Sequence, residues 1–462
     1  MADMPLQHSP EYKFRRFLNW FPLGLSYALL YMGRYNLTVS KSALGGLMDK
    51  ATFGLIFGVG AWVYALAFLI NGPLTDRIGG RKGMLIGMAG AVAANLMMGL
   101  YLWHAMSTPN PDPVMIKWVF VLLYAVNMYF QAYGAVAIVK VNSSWFHIRE
   151  RGIFSAIFGI MISSGLFLAY DVNSRLLASP LAKGKGFNGG DAIWIVFLAP
   201  AVLLAAFWLI ELFLLKDRPS QAGHADFETG DAVLGKDDED IPAMALIKKI
   251  ICHPVILTIA CIEFCTGVLR NGIMNWYFIF AKEQLKAGQT SGGWTYMVDN
   301  WGLILMIAGI VGGIFAGAIS DKFFQSRRAP TAGFLYIMTF VCTLLMIPFL
   351  QSGWVLGALV FMMSIGVIGT HGLLSGTATM DFGGRKGAGT AVGVIDGFVY
   401  LGTGLQALAI GHITSSPNLG WNYWPVFLAP FGLAGFFLLR RIWHAKPQAR
   451  TQEVVVDPPE KD

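Results

Sequence analysis

Apolar runs of about 20 residues, long enough to cross the hydrocarbon core of a bilayer as a helix, recur from one end of this sequence to the other. Such runs leave few folding options, because in lipid every backbone polar group has to find its partner inside the chain. Read as helices, they lie near 17–40, 52–74, 83–105, 114–139, 152–171, 192–215, 252–281, 298–320, 331–350, 354–376, 387–413 and 422–440. Twelve helices nearly fill the 462 residues and leave no room for a sizeable soluble domain. The expected fold class is therefore an all-α membrane protein, with the lipid bilayer as its first partner. Composition agrees, with 55% hydrophobic and only 13% charged residues.

Lysine and arginine are distributed unevenly over alternate loops, and that bias orients a membrane chain. One set of loops holds Arg77, Arg81 and Lys82, then Arg149 and Arg151, then Lys322, Arg327 and Arg328, then Arg385 and Lys386. The tails join that set through Lys13, Arg15 and Arg16 and through Arg440, Arg441 and Lys446. The opposite loops are poor in both residues, and 351–353 and 414–421 have none. An even number of helices then puts both termini in the cytoplasm of an integral plasma-membrane protein. The net charge of +7 is this bias, and it does not call for a nucleic-acid partner. The first sixteen residues mix acidic groups with basic ones and offer no small-residue cleavage site, so no signal peptide is expected.

One long polar stretch, 216–249, interrupts the pattern. Rich in Gly, Asp and Glu and poor in aromatics, it reads as a mobile cytoplasmic linker, with Asp237–Asp240 as a solvated acidic run. The expected organisation is an N-terminal six-helix bundle over 1–215, the linker over 216–249, a C-terminal six-helix bundle over 250–445 and a cytoplasmic tail over 446–462. Cys252, Cys261, Cys265 and Cys342 lie inside apolar helices with no histidine or further cysteine to complete a metal shell, so no metal is expected.

Two charges break the apolar pattern at matching places in the halves. Arg34 lies in LGLSYALLYMGRYNLTVS and Arg270 in ILTIACIEFCTGVLRNGIMNWYFIF. An arginine at membrane depth costs several kcal/mol and marks a functional site by default. Its rigid fork of donors suits phosphate and carboxylate. One from each half makes a clamp for a small dianion, although Arg34 is only seven positions from Lys41 and snorkelling to a headgroup is the competing reading. Tyr27 and Tyr31 share a helix face with Arg34 at spacings of four and three.

The halves also echo each other outside the helices. Gly72 and Asp76-Arg77 after the second helix match Gly317 and Asp321-Lys322 after the eighth. The basic Arg149-Glu150-Arg151-Gly152 before the fifth matches Arg385-Lys386-Gly387 before the eleventh. Internal repeats of this kind are how secondary transporters build alternating access. Charged groups at these helix ends (Asp76, Arg77, Arg81, Arg149, Arg151, Asp321, Lys322 and Arg385) are candidates for a cytoplasmic latch that opens and closes between the halves.

The Gly-x-x-x-Asp-Arg-x-Gly-x-Arg-Lys loop resembles that of the major facilitator superfamily. Within it the chain resembles the organophosphate:phosphate antiporter family, over essentially all twelve helices. The marks are Tyr27, Tyr31, Arg34 and Asn36 in the first helix, Asn127, Gln131 and Gly134 in the fourth, and WFHIRERG into the fifth. Further marks are Arg270, Asn275 and Trp276 in the seventh helix and AGTAVGVIDGFVYLG in the eleventh. The resemblance implies two pseudo-symmetric six-helix bundles that rock about a central cavity, with no covalent chemistry, no cofactor and function as a monomer. It implies that Arg34 and Arg270 bind phosphate, and that Tyr27, Tyr31, Tyr64 and Tyr400 line the cavity. It further implies exchange of an organic phosphate, such as a glycerol, sugar or glycerate phosphate, for inorganic phosphate across a bacterial inner membrane.

Departures from the family pattern bear on the site. Tyr35 and Phe68 stand where the glycerol-3-phosphate transporters carry basic residues, and no histidine falls within 153–171. Acidic residues appear instead: Glu263, two turns before Arg270 on one face and roughly 10 Å away along the axis, and Asp396 in the eleventh helix, with His371 in the tenth as a third titratable group. These groups either neutralise the arginines or titrate and couple protons. A proton- or sodium-coupled organic-anion symporter and a transporter-like hexose-phosphate sensor are the two alternatives.

Overall fold

The computed structural model describes residues 8–147, 151–227, 253–289, 293–325 and 327–445. Among these, twelve long helices run in sequence: α1 (Pro10–Leu44), α2 (Lys50–Ile78), α3 (Gly80–Ser107), α4 (Pro113–Trp145), α5 (Arg151–Phe167), α6 (Ile195–Leu214), α7 (Pro254–Lys286), α8 (Trp301–Phe324), α9 (Arg328–Phe349), α10 (Gly353–His371), α11 (Thr379–Ser415) and α12 (Tyr423–Arg441). Helix α5 is carried on by a π-helical turn, Leu168–Val172, and a last turn, Asn173–Ala178. No strand occurs among the described residues.

Local chemistry sets many of the helix ends. Ser9 accepts from the amide of Tyr12 and Pro10 opens α1, while Asp49 and Asp112 accept from the amides of Thr52 and Val114 to cap α2 and α4. Gly45 and Gly79 end α1 and α2 with φ of 57° and 91°, a region that a side chain would disfavour. The helices extend past their apolar runs: α1 starts at Pro10 rather than near 17. The backbone between α10 and α11 is helical, with a π-helical segment at Gly372–Ala378, yet the chain reverses direction there, since the Ser375 hydroxyl meets Asp396 on α11.

Ten helices are long and apolar enough, by length and composition, to cross a membrane among the described residues. Helix α1, loaded with polar side chains, is not among them, and the side chains at 151–158 of α5 lie outside the described residues. Helices α1 and α7 run through the centre of the molecule. Every residue of α1 from Met32 to Lys41 is buried, and so is every residue of α7 from Cys265 to Ala281. A helix buried all round is a core helix. Within the N-terminal half α3 and α2 pack on α4, and α1 packs on α5 and α6; within the C-terminal half α7 packs on α11 and α12, and α9 packs on α10 and α12. The halves meet where α2 lies against α11, α5 against α8 and α1 against α7. Small residues allow this approach, since lipid offers helices little hydrophobic reason to associate. A methyl group at Gly54 of α2 would collide with the carbonyl of Ala407 on α11.

Helices alternate in direction, so both termini lie on one face, here called the terminal face. The start of the expected linker is bound to that face of the N-terminal half. Asn19 exchanges hydrogen bonds with the backbone of Lys216 (2.8 and 3.2 Å), the Trp145 indole donates to the Lys216 carbonyl (3.0 Å), and Asp217 accepts from the Arg81 amide (2.7 Å). The linker from 228 to 249 and the tail 446–462 lie outside the described residues.

Candidate functional site

Arg34 is completely buried on α1 and has no carboxylate partner among the described residues. Three neutral groups take its guanidinium. Nε donates to Gln131 Oε1 on α4 (2.8 Å), Nη1 to the Tyr400 hydroxyl on α11 (2.8 Å) and Nη2 to the Tyr64 hydroxyl on α2 (3.1 Å). Its carbon also sits over the rings of Tyr31 (4.7 Å) and Tyr64 (4.6 Å). Neutral oxygens and ring faces satisfy the donors of a cation without cancelling its charge. Tyr400 belongs to the opposite half, so this contact spans the midplane.

Arg270 on α7 is 8% exposed and makes no hydrogen bond or ion pair among the described residues, and its Nε is buried without a partner. Tyr31, Tyr35 and Tyr400 lie within electrostatic reach of both arginines. The structure thus brings the expected site residues into one cluster, with Tyr27 two turns from Arg34 along α1. Tyr27 stacks edge-on against Tyr31 (5.4 Å), and Tyr64 lies 4.2 Å from Tyr400 between ring centres. Phe68, where relatives of the resembled family are basic, packs edge-on against Tyr64 (4.8 Å).

The titratable candidates gather in the C-terminal half, Glu263 and Asp396 within electrostatic reach of Arg270. Glu263 is fully buried and pairs with His371 rather than Arg270: its Oε2 lies 2.8 Å from Nδ1 of that imidazole. His371 keeps 25% of its side chain exposed, so the pair reaches from the core to an accessible edge. The Ser375 hydroxyl donates to Asp396. Tyr336 caps the far side of this cluster, donating to the carbonyl of Ile262, with the Thr266 hydroxyl 2.7 Å away.

Of the residues considered as a latch, Arg81 and Asp321 have described contacts within their own halves. Arg81 donates from Nη2 to the Leu212 carbonyl at the end of α6 (2.6 Å). Asp321 pairs with Arg328 (2.7 Å), a neighbour in the same half. Arg77 and Lys322 are exposed. Arg149 and the side chains of Asp76, Arg151 and Arg385 lie outside the described residues.

Several polar groups complete the site to which sequence reasoning assigned no role, although Asn36, Asn127, Gln131 and Asn275 were among the marks of the family resemblance. Gln131 continues an amide chain: Asn36 donates to Asn95 (2.8 Å), Asn95 to Asn127 (3.1 Å) and Gln131 to Asn127 (3.1 Å), all buried. Its signal was Asn127 and Gln131 one turn apart in an apolar helix. A second set joins the halves on the far side of the arginines. Tyr35 donates to Asn271 (3.2 Å), and Thr38 and Tyr170 donate to Asn275 (3.0 and 2.7 Å). Beyond them Asp171 on α5 accepts from the amides of Gly302 (2.6 Å) and Leu303 (2.9 Å), a carboxylate at the N-terminus of α8. Lys50 pairs with Glu283 at 3.1 Å. Described hydrogen bonds that join the halves run from the level of Arg34 to the far face, among them Arg34 to Tyr400, Trp62 to Leu401 and Lys286 to Ser42.

Comparison with known proteins agrees with this architecture. The Major Facilitator Superfamily model matches residues 23–407, and the chain belongs to that superfamily, whose members are transporters and not enzymes. The chain is 24% identical over 449 residues to the glycerol-3-phosphate transporter of Bacillus subtilis, covering 95% of this chain and 94% of that one. It is 25% identical over 454 residues to the membrane sensor protein UhpC of Escherichia coli, covering 94% of each. Among solved structures it is similar to a bacterial homolog of the human lysosomal transporter Spinster, with a TM-score of 0.64 at 14% identity, over 94% of this chain and 96% of that one.

Proposed function

We propose that this membrane-spanning transporter exchanges a small organic phosphate for inorganic phosphate across a bacterial inner membrane, with both termini cytoplasmic and one chain sufficient. The observation that carries the reading is a pair of buried guanidiniums, one from each half, neither of them hydrogen-bonded or ion-paired to a carboxylate among the described residues, with Glu263 and Asp396 only within electrostatic reach of Arg270. Leaving a cation uncompensated at membrane depth is costly, and a dianion bound between Arg34 and Arg270 offsets that cost. In this state the hydroxyls of Tyr64 and Tyr400 and the Gln131 amide occupy the donors of Arg34. An arriving phosphate would replace some of them and draw Arg270 in from the opposite half. Binding energy realised in one arrangement of the halves shifts the equilibrium toward it. Similarity to a glycerol-3-phosphate transporter supports a phosphorylated substrate. The charged helix ends at the terminal face, Asp76, Arg77, Arg81, Arg149, Arg151, Asp321, Lys322 and Arg385, would then form the latch of the opposite closure.

Reconstituted exchange tests this directly. Arg34→Lys and Arg270→Lys keep the charge but lose the two-point fork. Each should lower phosphate exchange at least roughly tenfold, since a hydrogen bond to a charged group contributes about 1.5–3 kcal/mol. Insertion into the membrane should be unchanged. Wild-type affinity and flux in either variant would remove the clamp.

Two other readings have observations behind them. The buried Glu263–His371 pair favours a proton-coupled organic-anion symporter, and the similarity to UhpC favours a sensor of phosphorylated sugars. A requirement for a pH gradient identifies the first, and substrate binding without flux identifies the second.

A further inference from the structure

At the far face the halves line a partly open cavity of about 180 Å³ that the arginine clamp does not use. Lys41, Ser42 and Gly45 line it from the N-terminal half, and Lys282, Glu283 and Lys286 from the C-terminal half. Three ammonium groups therefore surround one carboxylate. That carboxylate is already engaged, since Glu283 Oε2 takes Lys50 Nζ at 3.1 Å and the indole of Trp421 at 2.8 Å. Lys286 donates to the carbonyl of Ser42 across the divide between the halves (2.5 Å). Lys282 lies 5.6 Å above the ring of Phe278 and has no ion pair among the described residues. Lys41 is only 7% exposed, and it has no hydrogen-bond or ion-pair partner among the described residues. The stem of Lys41 is buried, and its ammonium, with Glu283 in electrostatic reach, borders an open space lined by more cations than anions, the right charge for an anion.

We propose that this cavity binds a phosphate group, bridging the halves at the far mouth as a site distinct from the arginine clamp. Lys41 stands two helical turns beyond Arg34 on α1, about 10 Å along the axis, so an anion held here is on the path to the clamp without touching it. Lysine ammoniums act as compact point charges and accept a multivalent oxyanion in several orientations, which suits a waiting site better than a recognition site. When the halves separate at this face, the lysines of α1 and α7 move apart and the bound anion is released. That the anion is phosphate rests on the proposed exchange; the existence of the site does not. Free phosphate and a lipid headgroup share the chemistry.

The test uses the full chain carrying Ser42→Cys, with Arg270→Lys to disable the clamp, in phosphatidylcholine vesicles. Labelling of the new thiol by a membrane-impermeant maleimide is followed as inorganic phosphate is added. Occupancy should slow labelling by 1 + [phosphate]/Kd, about tenfold at ten times the Kd. Lys41→Gln should abolish that protection, and the less buried Lys282→Gln provides the same readout should the first variant fold poorly. In phosphatidylglycerol vesicles, slow labelling without added phosphate, reversed by either lysine variant, assigns the site to a headgroup and supports it equally. Labelling that neither anion slows, or protection that survives both lysine variants, overturns the proposal. Transport by the Arg270→Lys chain is scored separately, so failure of the exchange reading is visible on its own.

Discussion

At the scale of single residues, the arrangement separates two kinds of buried charge. Arg34 is wrapped in neutral hydroxyls, an amide and ring faces, which keep its charge available to a ligand. Glu263 has its close partner in His371, within the C-terminal half, and acts on Arg270 only at a distance. Spacing alone put Glu263 on the Arg270 face, two turns away, but it could not see that α10 supplies a nearer partner. Glu263→Gln removes a buried negative charge near Arg270 while leaving the clamp intact. Phosphate should bind more tightly, by about tenfold at most for one charge acting through partly buried surroundings. Exchange at equal pH on both sides should continue. Binding and gradient-driven uptake measured together in this variant check both points, and loss of gradient-driven flux alone would establish Glu263 as a coupling carboxylate.

Among elements, the contacts that matter most are those where two helices nearly touch backbone to backbone. Helix α7 is held against α11 at Gly267, where any side chain would meet the carbonyl of Val399, one residue before Tyr400. That contact sets the position of the Tyr400 hydroxyl on Arg34 relative to Arg270 on α7. Gly267→Ala should therefore destabilise the protein by about 1–3 kcal/mol through overpacking. It should also weaken phosphate binding without altering any ligand-contacting side chain. Thermal unfolding in detergent and phosphate binding measured on one preparation test the coupling; unchanged binding beside lowered stability would mean that α11 shifts as a rigid piece. The run of α10 into α11 through a π-helical segment belongs to this scale as well, because the sequence there carries the Gly-Gly pair of an expected loop and the backbone is nonetheless helical.

For the whole molecule, the described contacts between the halves are weighted toward the far face, where Asp171 grips the start of α8 and Lys50 meets Glu283. Asp171→Asn replaces one acceptor oxygen by an amide donor that faces backbone N–H groups. A charged hydrogen bond is worth about 1.5–3 kcal/mol, so the population open at the far face should rise roughly tenfold or more. Spin labels at Ala43 and Ala287, both exposed on that face, should report a wider distance distribution in the variant; an unchanged distribution would show that Asp171 only caps a helix. Apolar length, charge bias and the paired arginines were enough to read a helical membrane protein in two halves from the sequence alone, because bilayer thickness and the cost of buried charge act on local stretches of chain. The tyrosines that share the clamp came from family resemblance, and only Tyr27 and Tyr31 were also legible as a helix face. What the tertiary structure decided was which polar groups meet across long separations: Gln131 with Arg34, Asp171 with Gly302, His371 with Glu263. Those pairings depend on how twelve helices cross, and a helix face read by spacing does not reveal which neighbour it will find.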